Sequence, residues 1–257
     1  MHVVRRAILV GCFIFAGALF GDALQWLLPK EHLSDAKGAI GMVQGLVTLL
    51  LALVLGLLVW TSYGVYAQQH SESQTLGSQI LQLDLALERL GPEGARGREL
   101  LRRELVETRK RFWGSPGGPG AWLSFAESRA ELESLDAFFA HLKPADDDRR
   151  AAIASARSLS ESIVETHYLM ARQLKNPLPD ALINSVILWA ILVFFCVGLA
   201  STANALAVVM EALGAASVAS AIFLILEFSQ PYFGIFRIPP DGIDQVIAAL
   251  GREGGGY

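Results

Sequence analysis

Four long apolar stretches, two before and two after a polar middle section, constrain this chain more than any other feature. Each contains about 20 mainly apolar residues, and a helix of that length crosses a hydrocarbon layer of about 30 Å. The stretches cover residues 7–28, 39–67, 181–200 and 205–228. The sequence therefore predicts an all-α membrane protein with four transmembrane helices in two hairpins and a cytosolic helical bundle inserted between them.

The composition supports a membrane protein, because 53% of the residues are hydrophobic and 18% are charged. Soluble domains carry about 25% charged residues on average. The net charge of −4 argues against a nucleic-acid partner. Both cysteines, Cys12 and Cys196, lie within apolar stretches, so we expect no disulfide.

The N-terminus has one alternative interpretation, because Arg5 and Arg6 precede an apolar run as they would in a signal peptide. Only five residues separate Arg6 from Cys12, which is too few for the apolar core of such a signal. The apolar run also continues to Leu28, so we predict a retained helix. Basic residues concentrate near the span ends on one side of the membrane. This predicts that the N-terminus, the C-terminus and the middle domain are cytoplasmic.

The segments between the spans predict four domains. They are the transmembrane hairpin 1–67, the cytosolic helical domain 68–178, the transmembrane hairpin 179–230 and the cytosolic C-terminal segment 231–257. Residues 29–38 are expected to form a short external loop, and one long helix is expected from about Asp35 to Leu90. Gly91-Pro92 ends this helix and starts the next, over about 93–113. Further helices are predicted over about 121–142 and from the acidic residues 146–148 onwards.

The cytoplasmic part of the long helix contains an apolar seam with spacings of four, three, four and three residues. This spacing is typical of a two-heptad coiled coil. Such a seam can pair with another subunit or be buried within the middle domain, and the sequence leaves both possibilities open. The seam consists of Leu76, Ile80, Leu83, Leu87 and Leu90.

Four motifs make the chain resemble the bestrophin-like domain family of bacterial membrane proteins. The motifs are His32-Leu33-Ser34-Asp35, Ala52-Leu53-Val54-Leu55-Gly56-Leu57-Leu58-Val59, Leu83-Asp84 with Leu90-Gly91-Pro92-Glu93, and Ala221-Ile222-Phe223-Leu224-Ile225-Leu226-Glu227 with Pro231. Their order and spacing fit from about residue 30 to 240. The layout of two spans, a cytosolic insert and two further spans is similar to that of bestrophin anion channels.

The resemblance implies a homo-oligomeric passive ion channel in the bacterial inner (plasma) membrane, with a preference for anions such as chloride. Its expected partners are the lipid bilayer, other copies of the chain and small ions. Two alternatives remain open. One is a cation-selective channel, because no basic residue lies in any span. The other is a non-conducting scaffold or sensor whose helical domain binds a cytosolic partner.

No catalytic motif accompanies these spans, so an enzyme is not expected, and neither is a cofactor or a bound metal. The histidines are scattered, without the spacing of a metal site. They are His2, His32, His70, His141 and His167.

The second span contains a candidate pore lining, because residues spaced by three or four positions lie on one stripe of a helix. The ends of this stripe are polar and its centre is apolar, so its centre predicts a hydrophobic constriction that gates by dewetting. The stripe consists of Gln44, Thr48, Leu51, Leu55, Val59, Ser62 and Tyr66. Glu211 in the fourth span is a further candidate, because ionisable residues within a membrane often mark ion paths. The other reading is that these polar residues only bond neighbouring helices.

Overall fold

The computed structural model describes residues 2–27, 29–114, 134–144, 146–174, 178–201 and 204–253, and within these ranges the regular secondary structure is helical, with no strand. The helices are α1 (His2–Leu27), α2 (Lys30–Glu88), α3 (Pro92–Trp113), α4 (134–141), α5 (Asp147–Leu174), α6 (Asp180–Ala200), α7 (Ala205–Phe228) and α8 (Asp241–Glu253). Four of them, α1, α2, α6 and α7, are long and apolar enough to cross a membrane. This confirms the all-helical class and the four predicted apolar helices, whereas their arrangement in two hairpins stays a prediction.

The start of α2 differs from the expected loop over residues 29–38, because the helix already begins at Lys30. Pro29 stands immediately before the helix, where its missing N–H breaks no helical hydrogen bond. The nine residues that follow contain no proline, so nothing in the sequence stops helix formation there. The far end agrees with prediction, since Gly91 takes a positive φ of 69° and α3 starts at Pro92.

The chain folds as two compact units. The membrane unit contains Met1–Tyr66 and Leu178–Gln230, and the middle unit contains Ala67–Pro177 and Pro231–Tyr257. The segment after α7 therefore belongs to the same compact unit as residues 67–177.

Within the membrane unit, α1 packs closely against α6 and α7. Helices α1 and α6 run parallel, because Arg6 contacts Asp180 near their starts and Asp22 contacts Ser201 near their ends. Helix α7 runs antiparallel to α1, since Gly11 of α1 faces Ala219 and Asp22 shares the Ser201 hydroxyl with Glu211. Helices α1 and α6 are thus joined at both ends by polar contacts, and α7 is joined to them at one end.

Glycines allow α1 and α6 to approach until their backbones touch. Gly17 and Gly21 form a small-xxx-small pair on α1, facing Ile191 and Phe195 of α6. A Cβ atom on Gly198 would overlap the carbonyl oxygen of Ala18 and lie 3.0 Å from the amide nitrogen of Asp22. Only a residue without a side chain fits here, which fixes the register of α6 on α1.

The core of the membrane unit is apolar and includes side chains from all four long apolar helices. Its α2 members are Leu51 and Leu58, and Ile14 of α1 is fully buried among them. The remaining buried members lie on α1, α6 and α7, namely Val10, Ile183, Val186, Ala190, Val193, Ala215, Ile222, Ile225 and Leu226.

In the middle unit, the heptad seam of α2 is buried within the chain itself. Leu76, Ile80, Leu83 and Leu87 have no exposed surface, and Leu90 is almost fully buried. A glycine on α3, Gly97, lies against Leu87 and Phe138. The seam therefore belongs to the core of its own protomer, which decides between the two possibilities that the sequence left open. Most of the helix predicted over 121–142 lies outside the described residues, and its described part is α4.

The start of α5 follows the sequence prediction closely. The Asp146 carboxylate accepts a 2.7 Å hydrogen bond from the Arg149 backbone amide, as an N-terminal helix cap does. Asp147 and Asp148 occupy the first turn, where negative charge is favourable. The acidic run therefore starts a helix.

Candidate functional site

The predicted pore stripe on α2 is divided by the fold into buried and accessible parts. Leu51 and Ser62 are 5% and 2% exposed, so both are buried against their own protomer. Leu55 and Val59 are half-buried and pack against the membrane-unit core. The structure thus places the centre of the stripe on the inner side of α2.

The two ends of the stripe make local contacts. Thr48 is exposed, and its hydroxyl donates a 2.7 Å hydrogen bond to the carbonyl oxygen of Gln44, which is half-buried. At the other end, the Tyr66 ring lies 5.5 Å from the ring of Phe228, and the neighbouring Tyr63 ring lies 5.6 Å from it. These aromatic side chains join the end of α7 to α2.

The opposite side of α2 carries large apolar side chains that the protomer leaves uncovered. Leu49 is 74% exposed and Trp60 is 72% exposed, and other residues of this face are exposed as well. The buried share of the apolar window is 17% in α2 but 39% in α1. We call this surface the open face of α2, and it consists of Met42, Leu46, Leu49, Leu53, Leu57 and Trp60.

Glu211, the other predicted site residue, lies in a buried polar cluster at the junction of α1, α6 and α7. Its side chain is 4% exposed and that of Asp22 is 7% exposed. The Ser201 hydroxyl stands between them, 3.0 Å from Asp22 Oδ1 and 3.4 Å from Glu211 Oε1. We call Asp22, Ser201 and Glu211 the acid cluster.

Gln25 fixes the end of α6 beside the acid cluster. Its side-chain amide donates to the carbonyl oxygens of Gly198 at 2.9 Å, of Leu199 at 2.8 Å and of Ser201. The last carbonyls of a helix have no partner within the helix, so Gln25 supplies the missing donor. This contact holds Ser201 in position between the two acids.

Sequence reasoning identified Glu211 but missed Ser201 and Gln25 as its neighbours. Asp22 and Glu211 were visible as acids within apolar helices, yet they lie far apart along the chain. Ser201 was visible only as part of a turn. The remaining signal was Gln25, a lone amide near the end of an apolar helix, whose side chain needs a hydrogen-bond partner in a membrane.

A second buried polar cluster lies in the middle unit. Tyr232 donates a 2.8 Å hydrogen bond to Gln69 Oε1, and Gln69 Nε2 donates to Gln173 Oε1 at 2.7 Å. Gln173 in turn donates to Glu72 at 2.8 Å. Burial raises the pKa of Tyr232, and the charge of Glu72 raises it further. The phenol therefore keeps its proton, and the cluster ties the segment after α7 to α2 and α5.

Among the described residues, no group of three or more His, Cys, Asp or Glu side chains converges as metal ligands do. The described clusters are held together by hydrogen bonds.

The fold and these clusters define a class: a helical membrane protein with one closely packed group of three helices and a fourth helix whose apolar face is open. The Bestrophin-like family model, described as the Bestrophin-like domain, matches residues 12–243. The chain therefore belongs to the Bestrophin-like family, as the resemblance predicted. Membership supports an ion channel at the level of the family.

The fold is also similar to crystal structures of a bacterial bestrophin homologue from Klebsiella pneumoniae, solved in two single-site mutant forms. The TM-scores are 0.69 and 0.67, the sequence identities are 12% and 13%, and each comparison covers 100% of both chains. At these identities the likeness concerns the fold. No curated protein matches the chain.

Proposed function

We propose that this protein is a homo-oligomeric passive ion channel of the bacterial inner membrane that prefers anions such as chloride. Membership of the Bestrophin-like family carries this proposal. In it, α1 with α2 and α6 with α7 form two transmembrane hairpins, and both termini and the middle unit lie in the cytoplasm.

The open face of α2 supports self-association and a pore built on this helix. A helix whose apolar window is only 17% buried has most of its surface available for lipid, for other subunits or for a pore. The narrow part of a pore needs no charged groups, since an apolar constriction gates by dewetting. Helices α1, α6 and α7 are packed against each other and hold α2 from one side.

Two faces of α2 are candidates for the pore lining. One is the predicted stripe, whose centre contains Leu55 and Val59, and the other is the open face, represented by Leu53 and Leu57. A pore lined by the stripe requires a rearrangement that makes Leu51 accessible, because the protomer buries this side chain. The open face needs no such change, because its side chains are already accessible.

Cysteine accessibility distinguishes the two faces. In a background where Cys12 and Cys196 are replaced by alanine, single cysteines at Leu53 and Val59 are treated with a small anionic thiol reagent during current recording. A pore on the open face predicts block at position 53 and none at 59, and a pore on the stripe predicts the reverse. Block at neither position contradicts a pore built on α2.

The gate prediction concerns the apolar constriction itself. If Leu55 and Val59 form it, Leu55→Ser or Val59→Ser raises basal conductance, because a polar wall stays hydrated. Thr61→Ser, on the same helix and already polar, serves as the matched control. Currents equal to wild type in both variants exclude this gate.

Selectivity is tested by recording currents of the purified protein in a planar bilayer under a KCl gradient. A reversal potential near the chloride equilibrium value supports the anion channel. A value near the potassium equilibrium favours the cation channel. That alternative is supported by the acids within the spans and by the lack of basic residues there.

If Glu211 contributes to selectivity, Glu211→Gln shifts the reversal potential. Silence at all voltages and tensions contradicts conduction, and capture of a cytosolic partner would then indicate a scaffold.

A further inference from the structure

The acid cluster concentrates negative charge, and in the part of the chain that the structure describes no salt bridge reaches either acid. Asp22 and Glu211 are each more than nine-tenths buried. The four apolar stretches contain no lysine, arginine or histidine. Removing an unpaired carboxylate from water costs several kcal/mol, so such a group takes up a proton or a cation instead.

The hydrogen bonds of the cluster are incomplete in a specific way. Ser201 has one hydroxyl hydrogen and lies within reach of both Asp22 Oδ1 and Glu211 Oε1, so it serves one of them at a time. The other oxygen of each acid, Asp22 Oδ2 and Glu211 Oε2, is buried without a hydrogen-bond partner. Both carboxyl groups converge on this one hydroxyl, so their oxygens lie close together. A hydrogen bond between two carboxyl groups requires one of them to carry a proton.

A metal cation fits the cluster less well than a proton does. Calcium binds six to eight oxygens, and magnesium about six. Here two carboxyl groups and one hydroxyl converge, while the neighbouring carbonyls of Gly198, Leu199 and Ser201 already accept from Gln25. A proton needs only two oxygens, and two adjacent acids commonly share one.

Other ionisable groups on the packed helices do not balance the cluster. Arg5, Arg6, Asp180 and Glu227 lie at the opposite ends of α1, α6 and α7. Cys12 lies ten residues before Asp22, or about 15 Å along the helix. Cys196, a half-buried thiol, lies five residues before Ser201. In the described part of α2, Lys37 is exposed.

We propose that Asp22 and Glu211 form a proton-binding site in which one proton is shared between the two carboxyl groups, with Ser201 as the third member. The bound proton joins α7 to α1 and α6. Loss of the proton leaves two like charges on the same hydroxyl, that of Ser201, and separates α7 from the other two helices. The site stands on the membrane-unit geometry alone and does not depend on ion conduction.

Infrared spectroscopy tests the site directly, because the carbonyl stretch of a protonated carboxylic acid is separate from that of a carboxylate. Purified protein is measured between about pH 6 and 9, as wild type, Asp22→Asn and Glu211→Gln. If the two acids share one proton, each single substitution removes the infrared signal of one protonated carboxylic acid. The reason is that the new amide removes the neighbouring negative charge and supplies an N–H donor, so the remaining carboxylate is hydrogen-bonded without a proton. Asp180→Asn, an exposed acid at the far end of α6, is the control that leaves the signal unchanged.

The pH dependence of unfolding provides a second test. If the folded state holds a proton that the unfolded chain releases near neutral pH, stability falls as the pH rises. The unfolding equilibrium constant then increases about tenfold per pH unit for one proton, and this increment disappears in Glu211→Gln.

Three results overturn the proposal. The first is an infrared signal that is identical in wild type and both variants. The second is loss of the signal in only one of the two variants, which assigns the proton to one acid without sharing. The third is disappearance of the wild-type signal on addition of sodium or calcium ions alone, which makes the cluster a cation site.

Discussion

Replacing Gly198 by alanine tests the contact that fixes α6 on α1. The added methyl group meets the carbonyl oxygen of Ala18 and the amide nitrogen of Asp22, which are both backbone atoms of α1. Backbone atoms within a helix cannot rotate away as a side-chain end can, so the two helices must move apart. The clash therefore changes the packing of the whole contact.

The size of the effect follows from two contributions. Overpacking a close contact costs about 1–3 kcal/mol. Separation of the helices also weakens the hydrogen bonds from Gln25 to the end of α6, and each is worth about 1 kcal/mol. We expect a loss of about 2–4 kcal/mol in the free energy of unfolding. For a chain of this length, the melting temperature falls by roughly 4–16 °C.

The measurement is thermal unfolding of the purified protein in detergent, followed by helical circular dichroism. Gly45→Ala is the matched control, because a Cβ atom there meets nothing within 4 Å. Alanine in a helix is better than glycine by about 0.5–1 kcal/mol, so this variant melts at or slightly above the wild-type temperature. If Gly198→Ala and Gly45→Ala melt together, the close contact of α1 with α6 is refuted.

Two further predictions concern the middle unit and use the same measurement. Tyr232→Phe leaves the oxygen of the fully buried Gln69 without its hydroxyl donor and lowers the free energy of unfolding by about 1–3 kcal/mol; an unchanged melting temperature contradicts this bond. Asp84→Ala removes a largely buried, bidentate partner of Arg98, at 2.5 and 3.1 Å, and costs about 2 kcal/mol or more. Arg150→Ala breaks an exposed ion pair and changes stability by less than about 1 kcal/mol; equal losses in these two variants contradict the difference in burial.

Helix positions were predictable from the sequence wherever breakers flank an apolar run. Helix α6 begins just after Pro179, and α7 begins after Asn204, whose side chain accepts a hydrogen bond from the Ala207 amide. Both helices match their predicted bounds within one residue. The start of α2 differs from the prediction because polar residues after a proline indicate a loop, whereas polar residues such as Lys and Glu also have good helix propensity.

Helix faces were less predictable, for a physical reason. In an almost wholly apolar helix, the side that packs against the protein and the side that meets lipid have the same hydrophobicity. The polar ends of the stripe from Gln44 to Tyr66 therefore identify it, and no feature of the sequence indicates that Leu51 is buried. The partner of the heptad seam was equally unpredictable. The spacing of a seam is the same whether it pairs within one subunit or between subunits.

The membrane unit separates two tasks that a channel must combine. Helices α1, α6 and α7 are joined by backbone-level glycine contacts and by the acid cluster, so they resist deformation. Helix α2 contributes few buried residues and keeps its open face available. Changes in the first group, such as Gly198→Ala, should therefore alter stability before they alter ion preference. Changes on α2, such as Leu57→Ser, should alter conductance or assembly at nearly constant stability of the protomer. A variant of Gly198 that changes ion preference without changing the melting temperature would show that the two tasks are not separate.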